Sequence, residues 1–324
     1  MPTYPGISSE AFRHPLDRQA EEALRNLPGF KLLASRFVEY IYERPQQIYL
    51  MGNSIKVGPR QYSTLYGMFR ECMRDLNISP EPTLYVDQNP IINAYTLGTE
   101  HPYIVVNSGL LDLLEEDELR TVIAHELGHL KCEHPVLTQM AMWAMGAASF
   151  VGEITLGLGG LVTTGLLYAF YEWRRKAELS ADRAALLVTD DLNPIFRTMM
   201  KLSGGSMKYV NELSLGEFTQ QSQDYQDLDQ EQLNQIYKFL LYNGGNGTFL
   251  GHPFPVERLS FIKEWEESKE YHNVKAGNYA QGDSGSVDVE TEEEDGNEVD
   301  DLRRQVEELR REIEKTKNQR QGDE

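Results

Sequence analysis

Two histidines four residues apart, in the run Ala124-His-Glu-Leu-Gly-His129, constrain this chain more than any other feature. A helix turns about 100° per residue, so His125 and His129 share one face, a turn apart, where a single metal ion can bridge them. Glu126 lies one step round, close enough to act on a water at that metal without ligating it. The acids Glu115-Glu116-Asp117-Glu118 sit where a helix start favours negative charge. Leu119, Val122, Ile123, Ala124, Leu127 and Leu130 then supply a buried stripe at amphipathic spacing. This is the zinc-hydrolase signature on the secondary structure it requires.

Upstream, residues 8–50 read as helical, with Leu32, Leu33, Phe37 and Ile41 at helical spacing, and a second helix covers 59–76 before the Pro80-Glu-Pro82 break. The period then changes. Thr83–Val86 reads as a strand, and Ala94–Leu97 and Tyr103–Val106 flank a hairpin turn at Gly98–Pro102. Ser108 is placed to cap a helix opening at Gly109. The fold class expected is therefore α+β: a mainly helical core with a small, antiparallel-containing sheet immediately upstream of the motif helix.

Residues 136–172 hold few charges amid Met140, Trp143, Phe150, Leu156, Leu161 and Leu166, with Gly157, Gly159 and Gly160 in the middle. Each half is too short for a membrane span, which needs about 20 apolar residues. The chain must also return if Glu178 joins the two histidines. An apolar helical hairpin is expected, either packed on the protein or dipping into a bilayer, with Trp173-Arg174-Arg175-Lys176 suited to an interface anchor. Helix returns over 177–202. The polar stretch 203–250 carries helical pieces near 208–218 and 229–242, and helix resumes from Glu257 to Glu267. From about 274 the composition becomes that of disorder, and Leu302, Val306, Leu309 and Ile313 recur at heptad-like spacing. The domain plan is a helical region at 1–78, a catalytic domain at 79–273, an acidic linker at 274–301 and a short amphipathic or coiled-coil helix at 302–318. That last helix is either a solvated one or a handle for oligomerisation or partner binding.

The net charge of −20 argues against a nucleic-acid partner, since phosphate binding needs a basic face. Ten acids and no Lys or Arg between Asp283 and Asp301 put part of that imbalance in the tail. Two cysteines, Cys72 and Cys132, make no disulfide framework and suit a reducing compartment, Cys132 reading as a buried helix thiol. No signal peptide or lipidation box is visible, so the expected location is cytoplasmic, soluble or peripheral to a membrane.

A catalytic zinc takes three protein ligands and leaves one position open. The best third candidate is Glu178, in Ala177-Glu-Leu-Ser-Ala-Asp182, with Asp182 one turn on and able to accept a hydrogen bond from a ligand imidazole. Ala181, Ala184 and Ala185 beside them suit close helix packing. Of the other histidines, His14, His101 and His272 read as solvent-facing, and His134 as at most a cap for the helix end.

Ala124-His-Glu-Leu-Gly-His129, then Glu178-x-x-x-Asp182, then His252-Pro-x-x-x-x-Arg258 resemble the HtpX and CAAX-prenyl-protease family of zinc metallopeptidases, the forty-eighth metallopeptidase family. Asn93–Gly98 and Ser108–Leu111 also look like that family's, so the likeness covers roughly residues 80–265. It implies a zincin-like (minigluzincin) core and a zinc metalloendopeptidase acting in protein quality control. One Zn(2+) per chain would be held by His125, His129 and Glu178, with Glu126 as base. By the same analogy His252 either stabilises the charge on the scissile carbonyl or ligates zinc at rest. Arg258 either assists or ties its loop down. Gly251 stands where relatives often carry Thr or Ser. An extended polypeptide substrate would lie along the strand near Ala94–Leu97, in a groove shaped by 136–171 and 203–250. The rival expectations are a catalytically silent client-binding scaffold and a membrane-surface adaptor.

Overall fold

A computed structural model describes residues 3–26, 43–98, 101–139, 158–243 and 252–282. After a 3-10 turn at Ser9–Ala11 come helices α1 (Pro15–Arg25) and α2 (Glu43–Asn53), strand β1 (Ile55–Lys56), helix α3 (Ser63–Asp75), and strands β2 (Thr83–Asp87), β3 (Ala94–Leu97) and β4 (Tyr103–Asn107). Helices α4 (Ser108–Leu113), α5 (Glu116–Lys131), α6 (Leu158–Thr189), α7 (Leu192–Gly204), α8 (Leu215–Asp229), α9 (Gln232–Tyr242), α10 (Pro255–Glu266) and α11 (Lys269–Lys275) follow. The α+β reading holds: the chain is mostly helical with one small sheet. Met1–Ser284 forms one compact unit: α1 packs on α6 and α3 on α5, while α2 lies against β1 and β2. The second unit, Gly285–Glu324, lies outside the described residues, and the 302–318 helix with it.

The four strands run in the order β1-β2-β4-β3, with β2 and β4 parallel and β3 and β1 antiparallel to their neighbours. Side chains alternate between faces. Leu84, Val86, Ile104 and Val106 enter the main core, while Tyr85, Tyr103 and Val105 pack with Leu50 on the opposite face. The hairpin of β3 and β4 is as the sequence predicts, and it leaves β3 as an edge strand.

Helix α5 begins where the acids place it. Glu115 N–H donates to Glu118 Oε2 at 2.9 Å in a capping box, and acids fill the first turn. Buried Glu118 is satisfied by Lys201 at 2.6 Å and Arg197 at 3.3 Å, so α7 is keyed to α5. Leu119, Val122, Ile123, Ala124 and Leu127 sink into the core. The helix stops at Cys132, and Glu133 turns the chain away in the left-handed region, at φ 59°.

Helix α6 runs unbroken through the charged cluster and on past Glu178 to Thr189, where the sequence predicts a hairpin arm ending at 172 and a separate helix returning at 177. Glu172 holds Arg175 at 2.7 Å and Lys176 at 3.7 Å along its surface, so the change of composition marks a change of surroundings rather than of secondary structure. Trp173 is no interface anchor: it is fully buried against Phe170, Leu137 and Leu24. At its base the apolar segment therefore packs on the protein. Residues 140–157, the middle of the predicted hairpin, lie outside the described residues, as does the Gly244–Gly247 loop. Among the described residues no helix is long and apolar enough to cross a membrane.

Two smaller expectations are corrected. Asn107, not Ser108, is the residue before α4; Ser108 is its first helical residue, and its hydroxyl is engaged with the backbone of Asn89 at 3.1 and 3.2 Å. His14 is buried, because it is the N-cap of α1: its Nδ1 accepts from Leu16 N–H at 3.1 Å while its own N–H is held by Ser180. Beyond α11 the chain continues in contact with the body, with Ser8 N–H donating to Ala280 O at 3.0 Å. Both cysteines are free and buried, as the composition suggests.

Candidate metal centre

Helices α5 and α6 cross closely because small residues meet. A Cβ on Gly128 would stand 2.6 Å from Ala184 Cβ and 3.1 Å from Ala181 Cα. Nothing larger than glycine fits between the two histidines without parting the helices. The crossing brings Glu178 of α6 beneath both rings. His125 Nε2 lies 3.2 Å from Glu178 Oε2, His129 Nε2 lies 3.4 Å from Oε1, and the two Nε2 atoms are 3.1 Å apart. Tetrahedral ligands about 2.0–2.1 Å from one zinc ion stand about 3.3 Å from each other. Each ring nitrogen therefore already stands at about that separation from the other ring and from one oxygen of the carboxylate. Two imidazoles and one carboxylate are also the donor types zinc takes, and they form a group able to hold a metal.

Asp182, one turn beyond Glu178, accepts from the Nδ1–H of His125 at 3.1 Å, which leaves that ring's Nε2 facing the metal position. Arg258 at the start of α10 closes the far side. Its Nε donates to Asp182 Oδ2 at 2.8 Å and its Nη1 stands 3.3 Å from Glu178 Oε2. His252 Nδ1 lies 3.0 Å from Glu178 Oε1, with the ring 56% exposed. Glu126, next to His125 on α5, is bound by β3: the Thr96 hydroxyl donates to its Oε2 at 2.7 Å.

The electrostatics follow from burial against partners. Burial alone would lower the His125 imidazole, but hydrogen bonds to Asp182 and Glu178 hold it up at about 9. For His129 burial wins, and the ring is pushed below its usual value. Burial opposes ionisation of Glu178, yet His252, His125 and His129 hold its carboxyl well below the usual range. Burial is likewise outweighed at Asp182, kept ionised chiefly by Arg258, and at Arg258, kept charged chiefly by Asp182. With two buried carboxylates against one guanidinium, a metal ion bound here would take the place of the proton that His125 otherwise holds.

Every residue singled out in the sequence is thus brought together: His125, Glu126, His129, Glu178, Asp182, His252 and Arg258. Three others were missed. Thr96 was read only as part of a strand. His134 was read as a cap, whereas its Nδ1 lies 2.8 Å from His129 Nδ1. Asp17, 3.1 Å from His134 Nε2, carried no sequence signal at all. The reversal at Glu133 folds His134 back beside the motif helix, and helical spacing does not predict it. The polar 203–250 region holds the His252–Arg258 loop from outside. Tyr242 at the end of α9 accepts from Phe254 N–H at 2.9 Å and donates to Glu257 at 2.8 Å.

Residues 59–266 match the model of Peptidase family M48. The chain is 35% identical over 276 residues to the plastoglobule-localized metallopeptidase 48, chloroplastic, of Arabidopsis thaliana, covering 83% of this chain and 76% of that one. It is 31% identical over 152 residues to a protease HtpX homolog of Trichormus variabilis, covering 45% of this chain and 48% of that protein. No solved structure matches significantly.

Proposed function

The chain belongs to Peptidase family M48, and from that premise we propose that it is a zinc-dependent metalloendopeptidase, one Zn(2+) per chain, with His125, His129 and Glu178 as ligands. The observation that carries this reading is the close grouping of donors: the two Nε2 atoms are 3.1 Å apart, and each stands 3.2 or 3.4 Å from one oxygen of the Glu178 carboxylate. When bound, the zinc supplies a Lewis acid that polarises a carbonyl and acidifies water.

The chain's own residues do the rest. Glu126 takes a proton from the attacking water and returns it to the amine that leaves. Its carboxylate is steadied for this by the Thr96 hydroxyl. His252, exposed at the rim, donates to the carbonyl oxygen as negative charge builds there. Asp182 orients His125, and Arg258 balances Asp182 and Glu178 while tying the loop to α6. An extended polypeptide adds along the open edge of β3, where backbone pairing tolerates many sequences. Such tolerance suits a role in protein quality control.

A silent scaffold would have no use for a buried carboxylate next to a metal-ligating histidine, which disfavours the client-binding alternative. The test is Glu126→Gln. It should keep stoichiometric zinc and lose peptide cleavage by about 10²–10⁴-fold, the range expected for a general base. Equal cleavage by wild type and variant in a peptide-library assay removes the enzymatic reading.

A further inference from the structure

We propose that Asp17 and His134 are positioning residues for His129: a buried hydrogen-bond chain from the N-terminal helix α1 fixes which nitrogen of His129 carries its proton. The proposal rests on the zinc reading above and adds residues that lie partly outside the matched family region, since Asp17 precedes residue 59.

For a His134 that carries a single proton, the chain of atoms leaves one consistent arrangement. Asp17 Oδ2 accepts from Arg13 Nε at 3.0 Å and from the Ser180 hydroxyl at 2.6 Å. Ser180 Oγ itself accepts from His14 N–H at 2.9 Å, so its own proton is free to point at Asp17. An ionised carboxylate only accepts, so His134 Nε2, 3.1 Å away, carries a proton and donates it to Oδ2. The Nδ1 of neutral His134 is then a lone pair. It lies 2.8 Å from His129 Nδ1, and two lone pairs at that distance would repel. His129 therefore carries its proton on Nδ1 and donates it to His134. Its Nε2 is left bare, facing Glu178 and His125. The reverse assignment puts a lone pair of His134 against the Asp17 carboxylate, which is unfavourable.

The two imidazoles are served alike by different routes. Asp182 fixes His125 directly, and Asp17 fixes His129 through an intervening ring. Burial keeps the second route dry: Asp17 is fully buried, His134 is 2% exposed, and Trp173 stands edge-on to His134 with ring centroids 5.7 Å apart. Carboxylate-backed imidazoles bind metal more tightly, and losing such a partner typically costs about 10–100-fold in affinity.

The experiment uses the full chain with ¹⁵N-labelled histidine, metal-free, alongside His134→Phe and Asp17→Asn. Phenylalanine keeps a ring against Trp173 but offers no acceptor, and asparagine removes the charge while fitting the same space. Long-range ¹H–¹⁵N spectra read the tautomer of His129, chelator competition reads zinc affinity, and melting confirms folding. Wild type should show His129 protonated on Nδ1. His134→Phe should shift that proton to Nε2, and zinc affinity should fall about 10–100-fold in His134→Phe and by less in Asp17→Asn. A wild-type His129 protonated on Nε2 overturns the proposal. So does a folded variant pair with unchanged tautomer and zinc affinity. If wild type binds no zinc, the functional reading falls separately, and the tautomer spectra still decide the relay.

Discussion

Replacing Gly128 by alanine tests whether helix crossing sets the site. The new Cβ would sit 2.6 Å from Ala184 Cβ, 3.1 Å from Ala181 Cα and 3.3 Å from Ala181 O. Carbon atoms are comfortable at about 3.5–4.0 Å, so roughly 1 Å of relief is needed. None of these neighbours can rotate away, since two are backbone atoms and the third is an alanine methyl. The helices must separate or bend. Overpacking of this kind costs about 1–3 kcal/mol, and the better helix propensity of alanine returns about 1 kcal/mol, leaving a net loss of about 0–2 kcal/mol. The displacement falls between His125 and His129. Their 3.2 and 3.4 Å separations from Glu178 would open toward distances that one ion cannot span. Urea denaturation of the metal-free protein reads the first effect, and chelator competition for zinc the second. Adding Ala184→Gly removes the worst contact and should recover part of both losses, giving favourable coupling in a double-mutant cycle. A Gly128→Ala protein as stable as wild type, with unchanged zinc affinity and no coupling to Ala184→Gly, would refute the reasoning.

Stability should also depend on His14. Burial, then Arg183, lowers its folded-state pKa to about 4 from 6.5, so above pH 6.5 both states are neutral and nothing is lost. As pH falls through that window the unfolded chain takes up a proton that the folded one refuses, costing about 2 kcal/mol between pH 7 and pH 5. Urea denaturation should show this slope in wild type and a shallower one in His14→Asn, which keeps a capping side chain; equal slopes would dismiss His14 as the source. Thr96→Val keeps the shape of β3 and removes the donor to Glu126. A hydrogen bond to a charged group contributes about 1.5–3 kcal/mol, so kcat should drop at least about tenfold with little change in KM. An unchanged kcat would mean that Glu126 holds its place unaided.

What the sequence reveals of the fold divides along the range of the interactions. Helix α5 and the β3–β4 hairpin were legible because their signals are local: a run of acids at the helix start, an amphipathic stripe, two apolar runs around a turn. The parallel pairing of β2 with β4 was not, since nothing within either strand names its partner. The continuity of α6 was missed because apolar residues give way to charged ones near Trp173, and that shift reads as a boundary between a hairpin arm and a second helix. In the fold it marks only where the helix leaves one set of neighbours for another, with Trp173 buried between His134 and Phe170.

The site divides in the same way, and the division explains its construction. His125, Glu126 and His129 were legible from one run, and Glu178 with Asp182 from another, because helical spacing alone puts each set on a face. Asp17, Ser180 and His134 are ordinary residues whose meaning depends on separations of 117 and 163 positions. Such a layout follows from the limits of one helix. On α6, Glu178 beneath the metal position and Asp182 a turn later together reach only His125 with a second carboxylate. His129, a turn further along α5, needs its partner from another element. The left-handed residue Glu133 returns His134 to that ring, and α1, packed along α6, brings Asp17 to His134. The N-terminal helix, which the sequence assigns to a helical region outside the 79–273 domain, becomes part of the metal centre's support, and removing it should loosen the His129 side of the site before the His125 side.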